Sequence, residues 1–466
     1  MRVSTGIKNL DSLIEGGFVE RSFNLIYGGG GTGKTLFTIN YLLRGAESGE
    51  KVLYVTLEET WEDIVRKLPM GIKDRLEKVS KKFHYLDFGS LRPVLGKDVL
   101  KSEVLSESIV SSIKVNDVSL VGLDGIAPLS MYYQDERTVR SAIFDISQNL
   151  KSYGVTTVFT SEEVNGRSRY GAEEFVADSV IRLNFDGKKR RLQILKTRGS
   201  GFVGGRHGFE IMDDGIEVYP RVLPYDGRRG KSEIDTLGIQ KLDNMIGEVY
   251  RGDITLITGP PGSGIYLFGI SFIKSVCASQ SKGAFISLKP GEKDINVFMK
   301  ANTNGCRVVE LDAEDMDIYK LMWKIKRISE GARRVVVHGL NVIARDEEYP
   351  EFIHSLSNFL RSHGISTMFT YTSPNIMATD KLGDDYIVNA ANNIVKLLFT
   401  EINGELKKIL AIIKTHSPTH ETGLIEYRLG KKGIVIVGKV EEMEGIMSGT
   451  PTKQMEIKKR VERFFK

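Results

Sequence analysis

The stretch "GGGGTGKT", residues 28–35, has residue types and a spacing that could bind the phosphates of a nucleotide. It fits the pattern G-x-x-x-x-G-K-[ST] between a strand-like and a helix-like run, which is the context in which that pattern binds phosphate. Its glycines allow a tight turn whose backbone N–H groups point at phosphate oxygens. The Lys34 side chain can reach the β- and γ-phosphates, and the Thr35 hydroxyl can bind Mg²⁺. The sequence therefore predicts an ATP–Mg²⁺ site whose loop residues are Gly30, Gly31, Thr32, Gly33, Lys34, Thr35 and Leu36.

Three carboxylates follow other strand-like runs. "VSLVGLDG" contains Asp124 at the end of such a run, where an aspartate can hold Mg²⁺ through its water shell or can simply cap a turn. "YVTLEET" places Glu58 and Glu59 at the carboxyl end of another strand, the edge at which open α/β sheets bind ligands. Either glutamate could orient and deprotonate the water that cleaves ATP. The alternative is that they cap the helix beginning at "TWEDIVRKL", because acids suit a first helical turn.

Two cations lie close together in "LKTRGS". Lys196 and Arg198 occupy alternate positions of a strand-like segment, so both side chains are expected on the same face. The residues alone do not say that this face meets ATP, and a solvated strand is the alternative.

The elements that must position these residues follow an α/β pattern. Short apolar strands such as "FNLIYG", "KVLYVTLEE", "SLVGLDG" and "TTVFTSE" alternate with helical stretches, which indicates parallel strands joined by crossover helices. The segments "SVIRLNF" and "RRLQILKTR" are predicted to add strands at one side of that sheet.

The chain also contains an internal repeat. "GIKNLD" followed by a strand and "GGGGTGKT" in the first copy corresponds to "GIQKLD" followed by a strand and "GPPGSGIY" in the second. A match at so long a period indicates two copies of one domain. We predict domains at residues 1–224 and 233–440, with a C-terminal tail at 441–466.

The amino-acid composition excludes few classes of protein. The content of 41% hydrophobic and 27% charged residues is ordinary for a globular protein, and a net charge of +5 is too small to argue for nucleic acid. The two cysteines, Cys277 and Cys306, are expected to be unpaired in a reducing compartment. No apolar run reaches the roughly 18 residues of a membrane span, and "MRVSTGIKNL" lacks a secretory apolar core. The protein is therefore predicted to be cytoplasmic.

Taken together, the motifs resemble the KaiC family, which consists of duplicated ATPases of the RecA superfamily. The resemblance rests on "GGGGTGKTLF", "VTLEETWEDIV", "VTTVFTSEEVNGRSRYGAEEFVADSVIRL", "LQILKTRGS" and "FEIMDDGIEVYP", and is looser in the second half. It implies two tandem RecA-like P-loop domains, each a mainly parallel sheet flanked by helices. It also implies a double-layered homohexamer with ATP bound between neighbouring subunits.

The same resemblance implies roles for individual residues. The glutamate pair aligned with Glu58 and Glu59 activates water in this family. The Lys-x-Arg aligned with Lys196 and Arg198 reaches the γ-phosphate held by the neighbouring subunit, the role of an arginine finger. Three further nucleotide contacts are implied at Thr197, Ser200 and Asp213.

The second copy departs from this pattern at most of the chemical positions. The replacements are Ile265 for the loop lysine, Tyr266 for the metal hydroxyl, Lys289 and Pro290 for the glutamate pair, His338 for the metal aspartate and His416 for the arginine, while Lys414 is kept. The family's second domain is an autokinase that phosphorylates a Ser-Thr pair, and the matching stretch "YIVNAA" has no such pair. We therefore predict that the second copy neither hydrolyses ATP nor phosphorylates itself.

Three functions remain open on the sequence. The first is a slow regulatory ATPase whose second domain is structural or binds unidentified regulatory partners. The second is a RecA-like nucleic-acid-binding ATPase, for which Arg167 and Arg169 are candidates although glutamates surround them. The third is a non-catalytic scaffold that senses ATP occupancy.

The C-terminal tail contains a short amphipathic pattern. Ile457, Val461, Phe464 and Phe465 recur at helical spacing with basic residues between them. Such a helix could dock a partner or a membrane surface, or could pack on its own domain.

Overall fold

The protein is described by a computed structural model that covers residues 1–133, 135–222, 233–277, 281–289, 291, 306–373, 384–402, 404–430, 433–440, 443–444 and 452–453. The chain divides into two compact units, Met1–Arg221 and Val222–Lys466, which we call the first and the second unit. The amphipathic helix predicted in the tail lies outside the described residues.

The first unit alternates strands and helices. Its strands are β1 (Arg2–Val3), β2 (Phe18–Val19), β3 (Phe23–Gly28), β4 (Val52–Thr56), β5 (Phe83–Asp87), β6 (Leu120–Asp124), β7 (Thr156–Val164), β8 (Arg167–Ser168), β9 (Ser179–Phe185), β10 (Arg190–Thr197), β11 (Arg206–Met212) and β12 (Gly215–Tyr219). Its helices are α1 (Lys34–Glu47), α2 (Trp61–Lys67), α3 (Met70–Lys78), α4 (Phe88–Leu95), α5 (Ser102–Asn116), α6 (Leu129–Tyr132), α7 (Glu136–Ser152) and α8 (Glu173–Val176), with 3₁₀ turns at Asp11–Leu13 and Gly96–Leu100.

One large sheet forms the centre of the first unit. Its order is β12-β11-β10-β9-β3-β7-β6-β4-β5, and β8 pairs with β7. The strands from β5 to β9 in this order are parallel, whereas β10, β11 and β12 continue the sheet in antiparallel pairs. All residues of β3 are buried, as expected for a parallel strand with helices on both faces. One apolar cluster joins the sheet to α1 and another joins it to α5 and α7.

The second unit has the same arrangement. Its strands are β13 (Ile234–Asp235), β14 (Val249–Tyr250), β15 (Ile254–Gly259), β16 (Gly283–Ser287), β17 (Cys306–Glu310), β18 (Arg334–His338), β19 (Ser366–Thr372), β20 (Asn393–Ile402), β21 (Glu405–Lys414), β22 (Ile425–Gly430), β23 (Gly433–Lys439), β24 (Met443–Glu444) and β25 (Thr452–Lys453). Its described helices are α9 (Gln240–Ile246), α10 (Ile265–Cys277), α11 (Ile318–Ser329), α12 (Tyr349–Ser362) and α13 (Asp385–Ala390), with a 3₁₀ turn at Leu340–Val342.

The large sheet of the second unit repeats the topology of the first. Its order is β17-β16-β18-β19-β15-β20-β21-β22-β23, with parallel pairing as far as β20 and antiparallel pairing beyond it. The predicted fold class, two tandem α/β domains of the RecA type, is confirmed. In each unit the carboxyl ends of the parallel strands lie along one edge of the sheet, which brings residues far apart in sequence to one place.

The prediction of two unpaired cysteines is wrong. Cys277 at the end of α10 and Cys306 at the start of β17 form a disulfide, with their Cα atoms 5.7 Å apart. The register of the sheet explains the pairing, because Cys306 lies opposite Gly283 on β16 and Gly283 packs beneath Ile273 of α10. Composition cannot detect a contact that the β16–β17 register creates.

None of the helices in the described part of the chain is long and apolar enough to cross a membrane.

Candidate functional site

The phosphate loop, residues 28–35, joins β3 to α1 at the carboxyl edge of the first unit's sheet. Gly28 must be a glycine, because a Cβ atom there would lie 2.2 Å from the carbonyl oxygen of Leu183. Gly31 and Gly33 have φ angles of +71° and +105°, which side chains with a Cβ rarely adopt. The turn thus exposes backbone N–H groups where α1 begins, a cradle suited to phosphate.

Two cations bind the backbone of this loop. The Lys34 ammonium donates to the carbonyl oxygens of Gly28 and Gly29, both at 2.9 Å. The Arg190 guanidinium donates to the carbonyl oxygens of Gly31 at 2.9 Å and Thr32 at 3.2 Å. Sequence reasoning missed Arg190, which is the first residue of β10 and carries no motif of its own.

Beside the loop lies a cavity of about 200 Å³, which we call the site cavity. It brings together most of the residues predicted to do chemistry, although they come from four different segments of the chain. Its lining residues are Gly30, Lys34, Thr35, Thr56, Glu58, Glu59, Ile64, Asp124, Gly125, Thr160, Ser161 and Glu162. The loop, the Thr35 hydroxyl and four carboxylates therefore line one space.

Asp124 is buried and held at both carboxylate oxygens. The Tyr54 hydroxyl donates to its Oδ2 at 2.5 Å, and the Thr160 hydroxyl donates to its Oδ1 at 2.6 Å. Burial raises the pKa of Tyr54 well above its ordinary value, so the phenol stays protonated and acts as the donor. The sequence carried no signal for Tyr54, because a tyrosine in an apolar strand is ordinary.

The two adjacent glutamates have different surroundings. The Glu58 side chain packs over Gly125, where a Cβ atom would lie 2.8 Å from the Glu58 carboxyl carbon. Glu59 instead forms an ion pair with Lys67 of α2 at 2.7 Å. Neither glutamate caps α2, because the Thr60 side chain accepts the backbone N–H of Asp63 at 3.2 Å. Glu58 is therefore the glutamate that faces the centre of the site.

The carboxylates and Lys34 influence one another. Partial burial raises the pKa of Glu58, and the negative charges of Glu162 and Asp124 raise it further. Burial lowers the pKa of Lys34, and the charges of Asp124 and Glu162 oppose that shift. The site cavity holds an excess of negative charge over the single ammonium, a balance suited to a metal cation.

Glu162 was not predicted as a site residue. It lies near the carboxyl end of β7, so the rule that identified Asp124 at the end of β6 could have found it. Glu162 also forms an ion pair with Arg169, one of the two arginines considered for nucleic-acid binding. That pairing gives no support to the nucleic-acid alternative.

Four of the predicted nucleotide contacts lie away from the site cavity. Register places Thr197 opposite Ser179, and Ser179 opposite Asn24 at the start of β3. The phosphate loop follows the other end of β3, about 13 Å further along the strand at 3.3 Å per residue. The residues placed at this opposite edge are Lys196, Thr197, Arg198 and Ser200.

The two cations of this group share one environment. Lys196 donates to the carbonyl oxygens of Glu174 and Ala177, both at 2.7 Å, and Arg198 donates to that of Phe175 at 3.1 Å. Arg198 also lines a second cavity of about 520 Å³ beside α7, together with Arg137, Arg140, Ser141, Phe144, Gln148, Lys151, Phe175 and Val176. Both cations thus contact the segment 174–177, although β10 ends at Thr197 and Arg198 lies just beyond the strand, and this segment does not line the site cavity of their own chain.

Asp213 and Leu36 lie near the loop without lining the site cavity. Asp213 follows β11, whose Ile211 side chain lies 3.2 Å from the position that a Cβ on Gly33 would take. The Asp213 carboxylate accepts the backbone N–H of Gly71 at 3.1 Å. Leu36 is buried in the first turn of α1.

The second unit keeps the framework of this site and changes its side chains. Ile265 is buried at the start of α10, and Tyr266 packs against the core of its own unit. Lys289 lies over Gly339, as Glu58 lies over Gly125. His338 ends β18 and pairs with the Thr370 hydroxyl at 2.7 Å, as Asp124 pairs with Thr160.

The supporting contacts of the two units also correspond. Lys408 donates to the carbonyl oxygen of Gly262 at 2.6 Å, which matches the contact of Arg190 with Gly31. Lys414 donates to the carbonyl oxygen of Ala391 at 2.7 Å, as Lys196 does to that of Ala177. His416 lies 3.6 Å from the carboxylate of Asp253.

Comparison with known proteins gives one consistent result. A family model described as "ATPase: KaiC" matches residues 3–222, 236–314 and 298–441. The circadian clock oscillator protein KaiC of Acaryochloris marina is 28% identical over 97% of this chain and 91% of its own length. The proteins of that name from Synechococcus elongatus and Thermosynechococcus vestitus are 27% and 28% identical, each over 97% of this chain and 92% of their own lengths.

The charge balance of the site cavity yields a prediction about stability. Because the pKa of Glu58 is raised above its ordinary value of 4.5, its ionised form is disfavoured in the folded chain. Glu58→Gln should therefore raise the unfolding temperature of the nucleotide-free first unit at neutral pH, by at most about 3 °C since solvent screens these charges. The advantage should shrink as the pH falls through the raised pKa of the folded state, and it should vanish well below 4.5, where Glu58 is protonated in both states.

The measurement is thermal unfolding followed by the fluorescence of Trp61, in a Trp323→Phe background that removes the second of the chain's two tryptophans. Glu59→Gln is the matched control and should give no gain, because it breaks the ion pair with Lys67. An equal gain from both variants, or a gain that grows at low pH, would contradict this account of the cavity.

Proposed function

The chain belongs to the KaiC ATPase family, and on that premise we propose that its first unit binds MgATP and hydrolyses it slowly. The observation that carries the proposal is the convergence of Lys34, Thr35, Glu58 and Asp124 on the site cavity beside the phosphate loop. These side chains supply a cation for the phosphates, oxygens for a metal and a carboxylate for water.

The residues present fit a magnesium ion. Mg²⁺ prefers oxygen ligands and usually keeps several of its waters, and the Thr35 hydroxyl and the Asp124 carboxylate line the same space. Asp124 already accepts hydrogen bonds at both oxygens, which suits contact through the water shell. When bound, Mg²⁺ would neutralise charge on the β- and γ-phosphates.

In this proposal Glu58 is the general base. It faces the site cavity, and its raised pKa increases its affinity for a proton taken from water. Glu59 is held by Lys67, the last residue of α2. Lys34 leaves the loop carbonyl oxygens to contact the phosphates.

We propose that Lys196 and Arg198 act on the nucleotide of a neighbouring subunit in a homo-oligomer, in keeping with the hexamer that the resemblance implies. The distance between the two edges of the sheet supports this, because neither side chain lines the site cavity of its own chain. Thr197 and Ser200 would belong to the same intersubunit contact. Asp213, which lies near the phosphate loop, would contact the nucleotide bound by its own chain.

We propose that the second unit lacks ATPase and autokinase activity and serves a structural or partner-binding role. The Ile265 side chain has no group that could donate a hydrogen bond to phosphate. His338 offers a nitrogen ligand where Mg²⁺ prefers oxygen. Lys289 places an ammonium where the first unit has Glu58. The helix Asp385–Ala390, which matches the phosphorylated stretch of the family, carries no serine or threonine.

Equilibrium binding tests this division. The wild-type chain should saturate at one Mg²⁺-bound imido analogue of ATP per chain, and Lys34→Ala should abolish binding because it removes the cation of the phosphate loop. The matched variant in the second unit, Ile265→Lys, should leave the stoichiometry at one. Two nucleotides per wild-type chain, or tight binding to Lys34→Ala, would overturn the assignment.

Turnover separates the two glutamates. Glu58→Gln should lower the kcat for ATP by roughly 100-fold with nucleotide affinity retained, the scale expected for loss of a general base. Glu59→Gln should lower it by less than about 10-fold, because Glu59 acts through an ion pair at the surface. Unchanged turnover in Glu58→Gln would exclude this base, and a wild-type chain that binds ATP without turnover would favour the ATP-sensing scaffold.

Mixed oligomers test the action of Arg198 in trans. Arg198→Ala alone should lower turnover on the order of 10³-fold, the lower range for an arginine finger. Mixing Arg198→Ala chains with Lys34→Ala chains should restore part of the activity, since an intact loop can then meet an intact arginine. The control mixture pairs Arg198→Ala with the double variant Lys34→Ala/Arg198→Ala and should restore none. Equal activities of the two mixtures after subunit exchange would show that Arg198 does not act in trans.

A further inference from the structure

Tyr54 lies within β4 and is entirely buried. Its hydroxyl reaches across to β6, the neighbouring strand, and donates to Asp124 Oδ2 at 2.5 Å. The two residues are 70 positions apart in sequence, so only the pairing of β4 with β6 creates the contact.

The other carboxylate oxygen of Asp124 is held by a different route. The Thr160 hydroxyl donates to Oδ1 at 2.6 Å and accepts the backbone N–H of Gly125 at 2.7 Å. Thr160 therefore also supports the turn that follows β6. Tyr54 contributes a hydrogen bond to the carboxylate alone.

The second unit keeps the contact of the threonine with the turn but has no aspartate at this position. His338 ends β18, and Thr370 pairs with its ring at 2.7 Å while accepting the backbone N–H of Gly339 at 2.9 Å. The threonine and its contact with the turn are thus kept where the carboxylate is gone. Phe285 occupies the position of Tyr54, since each is the third residue of its strand, and its ring centroid lies 5.8 Å from that of His338.

Within this one chain, the tyrosine hydroxyl occurs where the aspartate occurs and is absent where a histidine replaces it. A buried aromatic ring is kept in both units, so the ring itself fills the core in each, whereas the hydroxyl contacts the aspartate in the first unit. The threonine occurs in both units, as expected of a residue that supports the backbone.

We propose that Tyr54 is a positioning residue that fixes the Asp124 carboxylate toward the metal of bound MgATP. The proposal rests on the proposed function of the first unit. With Oδ2 engaged as well as Oδ1, rotation of the carboxylate about its Cβ–Cγ bond is restricted at the cavity that Asp124 lines. Partners of metal-binding groups typically contribute 10–100-fold to metal affinity.

The test compares two buried tyrosines that each lose one hydroxyl. Tyr54→Phe removes the bond to Asp124, and the control Tyr41→Phe removes a bond from a fully buried phenol to the carbonyl oxygen of Thr156 at 3.0 Å. The affinity for the imido analogue of ATP is measured by calorimetry with excess Mg²⁺ and again with EDTA. Tyr54→Phe should lower the gain in affinity that Mg²⁺ provides by about 10-fold, with the EDTA value unchanged. Tyr41→Phe should change neither value.

A second pair of variants excludes a merely structural effect. In an Asp124→Asn background, Tyr54→Phe should no longer change the gain from Mg²⁺, because the carboxylate that it positions is absent. Thermal unfolding without nucleotide should shift only slightly more in Tyr54→Phe than in Tyr41→Phe, because a hydrogen bond to a carboxylate is stronger than one to a carbonyl oxygen.

Each outcome decides between the proposals. A wild-type chain whose affinity is the same with Mg²⁺ and with EDTA would overturn the proposed function. A wild-type gain that Tyr54→Phe retains would overturn the role of Tyr54 alone. An equal loss with Mg²⁺ and EDTA, a loss that persists in the Asp124→Asn background, or unfolding at a much lower temperature than Tyr41→Phe would show that the hydroxyl only supports the fold.

Discussion

The close approach of two strands just before the phosphate loop constrains which residues can stand there in each unit. In the first unit Gly28 ends β3 directly against the carbonyl oxygen of Leu183 on β9, and in the second unit Gly259 ends β15 against Leu397 on β20. A side chain at either glycine would push apart two paired strands at the centre of the sheet. The loop must then turn sharply into a helix, which requires further glycines with positive φ in both units. The glycines are therefore kept for steric reasons whether or not a phosphate binds.

A common framework consequently carries two different sets of side chains. Thr160 with Gly125 and Thr370 with Gly339 form the same hydrogen-bonded turn, and basic residues bind the loop backbone in both units. Around that framework the first unit gathers Glu58, Glu59, Asp124 and Glu162, while the second unit has Lys289 and His338. At these positions an ammonium and an imidazole thus replace carboxylates without a change of fold.

The acidic arrangement has a cost to the empty protein that a ligand can remove. Partial burial raises the pKa of Glu58, and repulsion between like charges, which disfavours the folded state, raises it further. A bound metal cation would offset that repulsion, so metal binding and stability should be linked in the first unit. In the described part of the second unit, Lys289 and His338 stand at the positions of Glu58 and Asp124, so this repulsion does not arise between them.

The sequence by itself determined the architecture and several of the side chains that line the site cavity. The repeat, the alternation of strands and helices, and the fold class could be predicted because hydrophobic period and glycine spacing are local properties of the chain. Lys34, Thr35, Glu58 and Asp124 could be predicted for the same reason, since each lies next to a recognisable strand end.

Only the tertiary structure decided which residues meet. The contact of Tyr54 with Asp124, the entry of Glu162 into the site cavity and the binding of Arg190 to the loop all depend on strand order. The Cys277–Cys306 disulfide depends on the register of β16 with β17, and the number of cysteines in the chain could not predict that register. Lys196 and Arg198 lie at the opposite edge of the sheet because β10 runs antiparallel to β9. Each of these outcomes follows from pairing between distant segments, and pairing is set by the packing of the whole sheet rather than by neighbouring residues.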